Sequence, residues 1–415
     1  MRRLHWFIAR HYLGASRGRG LLSLITWIAL GGITVGVTAL VVVTAVMAGM
    51  QKDLTEKILE STPHIYVLQS GTALRMNDWE AVRDTIMSVD GVVGAAPFVL
   101  TQVVIRNQAG YPESANLYGI SVDTTGTTAT DMERQILQGV LDLEPTESGV
   151  TPILMGSGLA DRMLLFEGDS VLVIAMENLR TDMFGGLVPT IRQFEVSGTF
   201  TTNMYDYDTK NVYINLEDAQ DLLGLESGDV SGIGVRTTDP TLATQIADEI
   251  RGRLGFPYSV ESWITWNRAL FSALRLEKMA MTIILFLIVV VAAFNIVSTL
   301  VMVVADRTRE IGILRAMGMT QDGVLQVFVM QGLWIGVMGT ALGGGLGLFL
   351  VWIIYRFHIP RIPPEVYFVD HLPVSLRPLD VAIIVVGSVA ISFLATLYPA
   401  FQASRLEPVE AIRHE

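Results

Sequence analysis

The sequence predicts a polytopic α-helical membrane protein with four transmembrane helices and one large α+β domain outside the membrane. Three observations predict it: the composition, four long uncharged runs, and an uneven distribution of charge. The chain is 51% hydrophobic and only 17% charged, whereas soluble chains are roughly 25% charged. The runs without a charged residue are 21–50, 279–305, 323–355 and 381–404. Each is longer than the about 20 residues that cross a hydrocarbon core.

The charge distribution predicts the orientation of the four spans. Segments 1–20, 306–322 and 405–415 share one side of such a protein and carry ten arginines, whereas 356–380 carries three. Because cytoplasmic loops are enriched in Lys and Arg, both termini are expected in the cytosol and 51–278 outside. That outer segment holds 16 Lys and Arg against 32 Asp and Glu, so it lacks the basic surface that nucleic-acid binding needs. The chain has no cysteine, which excludes disulfides and zinc–thiolate sites.

These observations divide the chain into nine segments. They are an N-terminal cytosolic tail, the first span with a helical extension, the outer domain, a second extension with the second span, a cytosolic helix, the third span, an outer loop, the fourth span and a C-terminal cytosolic tail. Their bounds are 1–20, 21–62, 63–262, 263–305, 306–322, 323–355, 356–380, 381–404 and 405–415.

The first two spans are predicted to continue beyond the membrane as helices. Apolar residues recur at helical spacing on both sides of the outer domain. The two stripes are Met47, Met50, Leu54 and Ile58, and Trp263, Trp266, Leu270 and Leu274. Thr62-Pro63 ends the first pattern, and Ser262 is a suitable N-cap for the second. We expect two long helices that form a stalk, with stripes that either pack on each other or face a partner.

Small residues in the spans predict close helix packing. The third span carries Gly332, Gly336, Gly339, Gly343 and Gly347, and the first carries Gly32 and Gly36. Such spacing lets membrane helices approach closely, either within the chain or between chains. The spans contain no His and no charged residue, which argues against ion-coupled transport and intramembrane proteolysis. Asn295 is the polar exception and is predicted to form an interhelical hydrogen bond.

The outer domain is predicted to mix strands and helices in two subdomains, because strand–helix–strand units at both ends enclose a β-rich insertion. Candidate strands are 64–69, 99–106, 115–121, 171–176, 193–200, 211–214 and 232–236, and candidate helices are 77–88, 157–164, 216–223 and 240–254. No GxSxG, HExxH, Walker A or GxGxxG motif occurs, so no catalytic site is expected.

One loop of this domain, 177–192, has an apolar centre at 183–189 although it lies at a predicted hairpin tip. Hairpin tips are normally polar. The loop is therefore predicted to be a partner surface, unless it folds back onto its own domain.

The segment that follows the second span is predicted to form a short amphipathic helix from Asp306. Its apolar positions are Ile311, Leu314 and Met317, and its polar positions are Arg309, Glu310 and Arg315. Gly318 is a suitable C-terminal stop. Such a helix either docks on a cytosolic partner or lies at the lipid interface.

Several motifs together resemble the LolC/LolE permease family of the lipoprotein-releasing ABC transporter, within the wider MacB/FtsX-like group. They are VGVTALVVVTAVMAGMQKDLTEKIL (35–59), TPHI (62–65), VAAFNIVSTLVMVV (291–304), REIGILRAMGMT (309–320), FVMQG (328–332) and TLYPAFQASRLEPVEAIRHE (396–415). The resemblance covers nearly the whole chain, leans towards LolC, and implies a MacB-like fold, that of a type VII ABC transporter permease. It implies a multi-pass protein of the bacterial inner membrane with a periplasmic outer domain.

The resemblance also implies partners. A separate ABC ATPase dimer, LolD-like, would bind ATP and Mg²⁺, so this chain itself would be non-catalytic and hold no cofactor or metal. A second permease, a paralogue or a second copy, would complete the complex. Triacylated lipoproteins would be extracted from the membrane lipids and passed to a periplasmic LolA-like carrier by mechanotransmission from the ATPase.

Three sets of site residues follow from the resemblance. The carrier-binding hook would comprise Met183, Phe184, Leu187, Val188 and Pro189, with Arg192 in a flanking support patch. The lipoprotein acyl-chain groove would comprise Val43, Met47, Met50, Leu54, Leu270, Leu274, Met279 and Ile283. The helix that couples the chain to the ATPase would use Arg309, Glu310, Ile311, Leu314, Arg315, Met317 and Gly318.

Other functions are less well matched. A MacB-like efflux permease is typically fused to an N-terminal ATPase, whereas here only some twenty residues precede the first span. An FtsX-like signalling scaffold for periplasmic hydrolases usually has a much smaller outer domain and no hook. A membrane-bound enzyme would need a catalytic set, which the sequence does not offer.

Overall fold

The computed structural model describes residues 20–71, 75–121, 136–139, 143, 149–181, 187–357 and 372–406. These residues form two compact units. The membrane unit comprises 20–52, 273–357 and 372–406, and the described residues of the outer unit lie within Asp53–Ser272. Most of the predicted tails and of the 356–380 loop lies outside the described residues.

The secondary structure is mixed in the outer unit and helical in the membrane unit. The helices are α1 (Gly20–Ser61), α2 (Trp79–Met87), α3 (Ser157–Met163), α4 (Tyr205–Lys210), α5 (Leu216–Leu223), a 3₁₀ turn (Pro240–Leu242), α6 (Ala243–Leu254), α7 (Trp263–Trp266), α8 (Arg268–Asp306), α9 (Thr308–Ala316), α10 (Gln321–Phe357) and α11 (Pro378–Ser404). The strands are β1 (Ile65–Gln69), β2 (Val92–Arg106), β3 (Pro112–Ile120), β4 (Ile136–Gly139), β5 (Thr151–Gly156), β6 (Ser170–Thr181), β7 (Leu187–Phe200), β8 (Asn211–Asn215), β9 (Gly232–Thr237) and β10 (Tyr258–Ser262).

Helices α1, α8, α10 and α11 are long and apolar enough to cross a membrane, as predicted. Helix α1 has 42 residues and α8 has 39. At 1.5 Å per residue α1 is about 63 Å long, well beyond the about 30 Å of a hydrocarbon core. The predicted helical extension of the first span is therefore confirmed, whereas the predicted helix over 263–305 is divided at Asn267 into α7 and α8.

In the membrane unit, three glycines of α10 allow its backbone to contact α1. A Cβ atom added at Gly339, Gly343 or Gly347 would lie 2.6–2.8 Å from atoms of α1, closer than real Cβ contacts. At this contact the Thr38 hydroxyl donates to the Gly343 carbonyl at 3.0 Å.

The same glycine stripe contacts α11 at its other end. A Cβ at Gly332 would lie 1.9 Å from Thr396, and a Cβ at Gly336 would lie 2.4 Å from Ser392. Both partners belong to the same chain. The glycine spacing therefore serves packing within the chain.

Helix α1 packs against α8 through its own two glycines. A Cβ at Gly32 would lie 2.4 Å from the Asn295 amide nitrogen, and one at Gly36 would lie 3.7 Å from Ile288. The Asn295 side-chain amide oxygen accepts a hydrogen bond from the Thr299 hydroxyl on its own helix at 3.4 Å, in place of the predicted interhelical hydrogen bond. The Asn295 side chain thus packs directly against α1, and the space for it exists because Gly32 has no side chain.

A short segment before α11 also binds α1. The backbone N–H of Ser375 donates to the Ala45 carbonyl at 2.9 Å. One turn further along α1, a Cβ at Gly49 would lie 2.3 Å from the Pro373 carbonyl oxygen. We call residues 372–376 the strap.

In the outer unit, ten described strands form one sheet. Strands β10, β1, β9 and β2 lie side by side, and they come from the two ends of the domain. The inserted strands continue from β2 through β3, β8, β5 and β7, and β6 pairs with both β7 and β2. These pairings close a six-stranded ring. The open part of the sheet and the ring thus share β2, and the described strands form one sheet in one unit rather than two separate subdomains as predicted.

Some elements of the outer unit were not predicted, because they are short or lack a clear pattern of apolar residues. Strand β5 has five of six residues buried, but it is a short apolar run beside a proline, and such runs are ambiguous. Strand β10, YSVES, buries only two residues, and α4, YDYDTK, is six residues long. Strand β4 was not predicted either.

Both predicted apolar stripes reach the core of the outer unit. Ile58 is buried there, and Leu270 packs against the same cluster. The Trp266 ring stacks on Tyr66 with centroids 4.4 Å apart. The predicted N-cap is confirmed, because the Ser262 hydroxyl accepts from the Thr265 N–H. At this end the stripes therefore serve packing of their own unit.

We expect Gly343→Val to weaken the contact between α1 and α10, because the new side chain would meet the Thr34 carbonyl at 2.6 Å. Overpacking of this kind costs about 1–3 kcal/mol. The melting temperature of the full chain in detergent, measured by size-exclusion fluorescence, should fall by several degrees. Gly345→Val is the matched control, because a Cβ at Gly345 has no neighbour within 4 Å. Equal loss in both variants would contradict the assigned contact.

Candidate functional site

The β6–β7 hairpin extends beyond the ring of strands as a two-stranded arm. Strand β6 last pairs with β2 where Ala175 lies opposite Val103. Beyond that point residues 179–181 pair with 187–189, and 176–178 form a bulge. We call residues 176–181 and 187–191 the arm. The sequence predicts a loop over 177–192. These loop boundaries are wrong, because β6 and β7 continue into this segment.

The arm carries an exposed apolar surface. Among the predicted hook residues, Leu187 is 67% exposed and Val188 is 43% exposed, while Pro189 is half-buried. Met183 and Phe184 lie outside the described residues.

The structure adds three apolar residues that were not predicted. Met176, Leu179 and Ile191 are each about half exposed. The signal was available for Ile191, because Phe194 and Val196 face the core and period-two alternation then places residue 191 on the opposite face.

Arg192 lies at the root of the arm and is turned towards its own domain. Its guanidinium donates to the Asp218 carboxylate at 2.9 Å and to the Thr151 hydroxyl at 3.0 Å, and it lies 5.7 Å from the Phe194 ring centroid. Burial raises the pKa of the Asp218 carboxyl, and the Arg192 guanidinium opposes that effect. Asp218 and Thr151 were missed because they are remote in sequence.

The other strand of the arm is also held at its root. Glu177, in the bulge of β6, accepts an ion-paired hydrogen bond from Arg75. The Arg75 guanidinium also donates to the Ser231 hydroxyl at 2.5 Å, and that hydroxyl accepts from the Leu100 N–H at 2.9 Å. The bulge is thereby joined to β2 and to Ser231, the residue just before β9.

The predicted groove residues divide between the two units. In the membrane unit, the α1 face with Val41, Ala45 and Gly49 is buried, and it contacts α10 and the strap. Val43 and Met47 are two residues further along, about 200° around the helix, and are half-buried. They therefore lie on a different face, which the α10 contact leaves available.

Helix α8 supplies further apolar surface to the membrane unit. Met279 and Ile283 are more than half exposed, and Leu274 is half-buried, as is Met50 of α1. The remaining two groove residues belong to the outer unit. Leu54 is half-buried, and Leu270 already packs against the core of that unit.

The predicted cytosolic helix is present as α9 and is anchored by Ile311. That side chain is buried with Val303 and Val304 of α8, Phe328 of α10 and Ala400 of α11. Helix α9 is a separate helix that begins at Thr308, since α8 continues through Asp306.

The C-terminal end of α9 matches the prediction. Gly318 has a φ of +99°, and the Met319 N–H donates to the Leu314 carbonyl at 3.1 Å, which is a glycine-type helix end. The Arg315 guanidinium donates to the Leu406 carbonyl, so this predicted contact residue is engaged within the chain.

The predicted apolar stripe of α9 is not one face, and this part of the prediction is wrong. Ile311 is buried, Leu314 is half-buried and Met317 is 73% exposed. Three-residue steps drift around a helix of 3.6 residues per turn, so residues 311 and 317 differ by about 120°. The exposed face carries Arg309, Glu310, Ile313 and Met317. Ile313 had been missed.

Two family models match the chain. The MacB-like periplasmic core domain matches residues 26–253, and the FtsX-like permease C-terminal domain matches residues 282–408. The first model covers most of α1 and most of the outer unit, and the second covers most of α8 together with α9, α10 and α11.

Curated relatives match over the full length. The chain is 34% identical to the lipoprotein-releasing system transmembrane protein LolC of Xylella fastidiosa, covering 98% of both chains. It is 35% identical to the protein of the same name from Neisseria meningitidis serogroup B, covering 99% of both. Among solved structures, the periplasmic region of MacB from Actinobacillus actinomycetemcomitans aligns with 53% of this chain and 98% of that chain, at 13% identity and a TM-score of 0.33. The full-length identities show that the chain belongs to the LolC/LolE family of lipoprotein-releasing-system transmembrane proteins.

Proposed function

We propose that the chain is the permease subunit of an ATP-driven transporter that extracts lipoproteins from the bacterial inner membrane and passes them to a periplasmic carrier. The observation that carries this proposal is the similarity over 98–99% of the chain to relatives named for lipoprotein release. The two family models alone would also fit an efflux permease or a signalling scaffold. The full-length relatives favour lipoprotein release.

In this proposal the arm binds the carrier. An exposed apolar surface on a projecting hairpin is unusual for a soluble domain, and burying it against a partner would remove that surface from water. The described contact residues would be Leu187, Val188, Pro189 and the additional Met176, Leu179 and Ile191.

The available face of α1 and the exposed face of α8 receive the acyl chains. Moving an acyl chain out of lipid costs about 0.8 kcal/mol per CH₂ unless another apolar surface replaces the lipid. Val43, Met47 and Met50, with Met279 and Ile283, supply such a surface. Leu270 contributes less to this apolar surface, since it packs against the core of the outer unit.

Helix α9 couples the chain to a separate ATPase dimer on the cytosolic side. Its exposed face combines Arg309 and Glu310 with Ile313 and Met317, which suits a groove on a protein partner. Its buried Ile311 lies among α8, α10 and α11. A force on α9 would therefore act on three spans at once.

The complex also contains a second permease, either a paralogue or a second copy. Both termini and α9 lie in the cytosol, and the outer unit lies in the periplasm. The arginine distribution supports this orientation.

We expect Leu187→Asp combined with Ile191→Asp to weaken carrier binding at least tenfold, because loss of an apolar hot spot costs about 2 kcal/mol or more. Binding of purified LolA-like carrier to the complex in nanodiscs, measured by biolayer interferometry, tests this. The control is Leu242→Asp, which changes another exposed apolar residue, 44% exposed, elsewhere on the outer unit. Unchanged carrier affinity in the double variant would remove the arm from the interface.

A photo-crosslinking amino acid at Met47 or Leu274 should capture the acyl chains of a triacylated lipoprotein, because both positions belong to the apolar surface proposed to receive those chains. Mass spectrometry of the crosslinked product identifies the adduct. A crosslinker at Leu346, which is 50% exposed on α10, is the control for general contact with lipid. Lipoprotein adducts at Leu346 alone would place the cargo elsewhere.

Replacing Arg309 by Glu together with Met317 by Asp should uncouple the complex, because both side chains lie on the exposed face of α9. We expect lipoprotein-stimulated ATP hydrolysis to be lost while lipoprotein still co-purifies with the permease. Gln321→Glu, just beyond the helix and also exposed, serves as the control. Normal stimulation in the double variant would argue that α9 does not contact the ATPase.

A further inference from the structure

The arm needs an external restraint to keep one direction. Beyond Ala175 only its two strands pair with each other, through three residues of each. A two-stranded ribbon of this length is marginally stable in water. The pairing is interrupted further by the bulge at 176–178, so the direction of the arm is set at its root.

Two ion pairs provide restraints there, one on each strand. On β7, Arg192 reaches Asp218 in the first turn of α5 and Thr151 at the start of β5. On β6, Glu177 pairs with Arg75, which in turn contacts Ser231. The Asp218 and Arg75 side chains are 20% and 14% exposed, so both restraints originate from largely buried groups outside the arm.

We propose that Arg75 and Asp218 are positioning residues that hold the arm in the direction in which it meets the carrier. The proposal rests on the proposed function for its biological meaning, but the restraint itself is a property of the outer unit. Arg192 then acts through Asp218, since its guanidinium is already bonded to Asp218 and Thr151. A carrier would meet a preorganised apolar surface, which lowers the ordering cost of binding.

We expect the fold to tolerate loss of the Asp218 charge, which would separate positioning from folding. Burial raises the pKa of this carboxyl, so the folded state favours its neutral form. The stability that this raised pKa adds to the folded state is fully present below the ordinary pKa of 3.8. It is lost as the pH rises through the pKa of Asp218 in the folded state. At neutral pH, Asp218→Asn is therefore expected to leave the melting temperature of the full chain unchanged or slightly raised.

The direction of the arm is measured with spin labels. The chain has no cysteine, so Leu187→Cys with Glu226→Cys gives one labelled pair, with Glu226 exposed and outside the arm. Pulsed electron paramagnetic resonance on the full chain in nanodiscs should give a narrow distribution of the distance between the two spin labels. Asp218→Asn and Arg75→Gln should each broaden it, and Asp221→Asn, exposed one turn further along α5, should not.

Carrier affinity then distinguishes a positioning role from a direct contact. We expect Asp218→Asn to weaken binding of purified carrier about fivefold, the size of one partly exposed ion pair. Arg192→Gln added to Asp218→Asn should cost little further, because the Arg192–Asp218 interaction is already lost and only the hydrogen bond to Thr151 is removed in addition. Additive losses would show that Arg192 contacts the carrier itself and would overturn that part of the proposal.

The remaining outcomes separate the two proposals. Unchanged distance distributions in both Asp218→Asn and Arg75→Gln overturn the positioning role, whatever the carrier does. A narrow distribution in the unsubstituted chain together with no carrier binding overturns the proposed carrier interface and leaves the restraint standing.

Discussion

The membrane unit depends on the close approach of α10 to its neighbours. Within lipid, helices gain little from the hydrophobic effect, and association relies on packing and hydrogen bonds. Gly339, Gly343 and Gly347 remove the side chains that would separate α10 from α1. Once α1 is fixed on that side, its Val43 and Met47 are left on another face. The position of the apolar face proposed to receive the acyl chains is therefore a consequence of where the glycines are.

The outer unit has a comparable dependence on one strand. Strand β2 pairs with β9 over its first half and with β6 near its end, while β3 follows its other edge. It thus joins the open part of the sheet to the ring. The arm leaves the ring where the β2–β6 pairing stops, so the length of that pairing decides how much of the hairpin projects.

Much of the architecture could be predicted from the sequence because the signals are local. Uncharged runs gave the four spans, and Gly318 gave the end of α9. The glycines indicated close packing, but the sequence could not say that their partners were Thr34, Val37 and Thr396 of the same chain. The contacts of Arg192 escaped prediction for the same reason. An ion pair between residues 192 and 218 depends on how β7 and α5 meet, and no local pattern records that.

The apolar face of α9 was misjudged for a different reason. Three-residue spacing looks periodic over a short window, but a helix turns every 3.6 residues. Ile311 therefore points into the cluster with Phe328 while Met317 is exposed. In a nine-residue helix, one misplaced residue changes which surface a partner would meet. For the arm, strand alternation would have been the better guide, since it places Ile191 opposite the core-facing Phe194.

The strap has a consequence for how this sequence can change over time. Its bond to α1 joins two backbones, Ser375 N–H to the Ala45 carbonyl, so the side chain at 375 is free to vary provided it is not proline, which lacks the N–H. The steric requirement falls instead on Gly49, whose missing side chain makes room for Pro373. The sequence of the strap can therefore change widely in evolution without loss of its connection to α1. The residue that must be kept is Gly49 on α1.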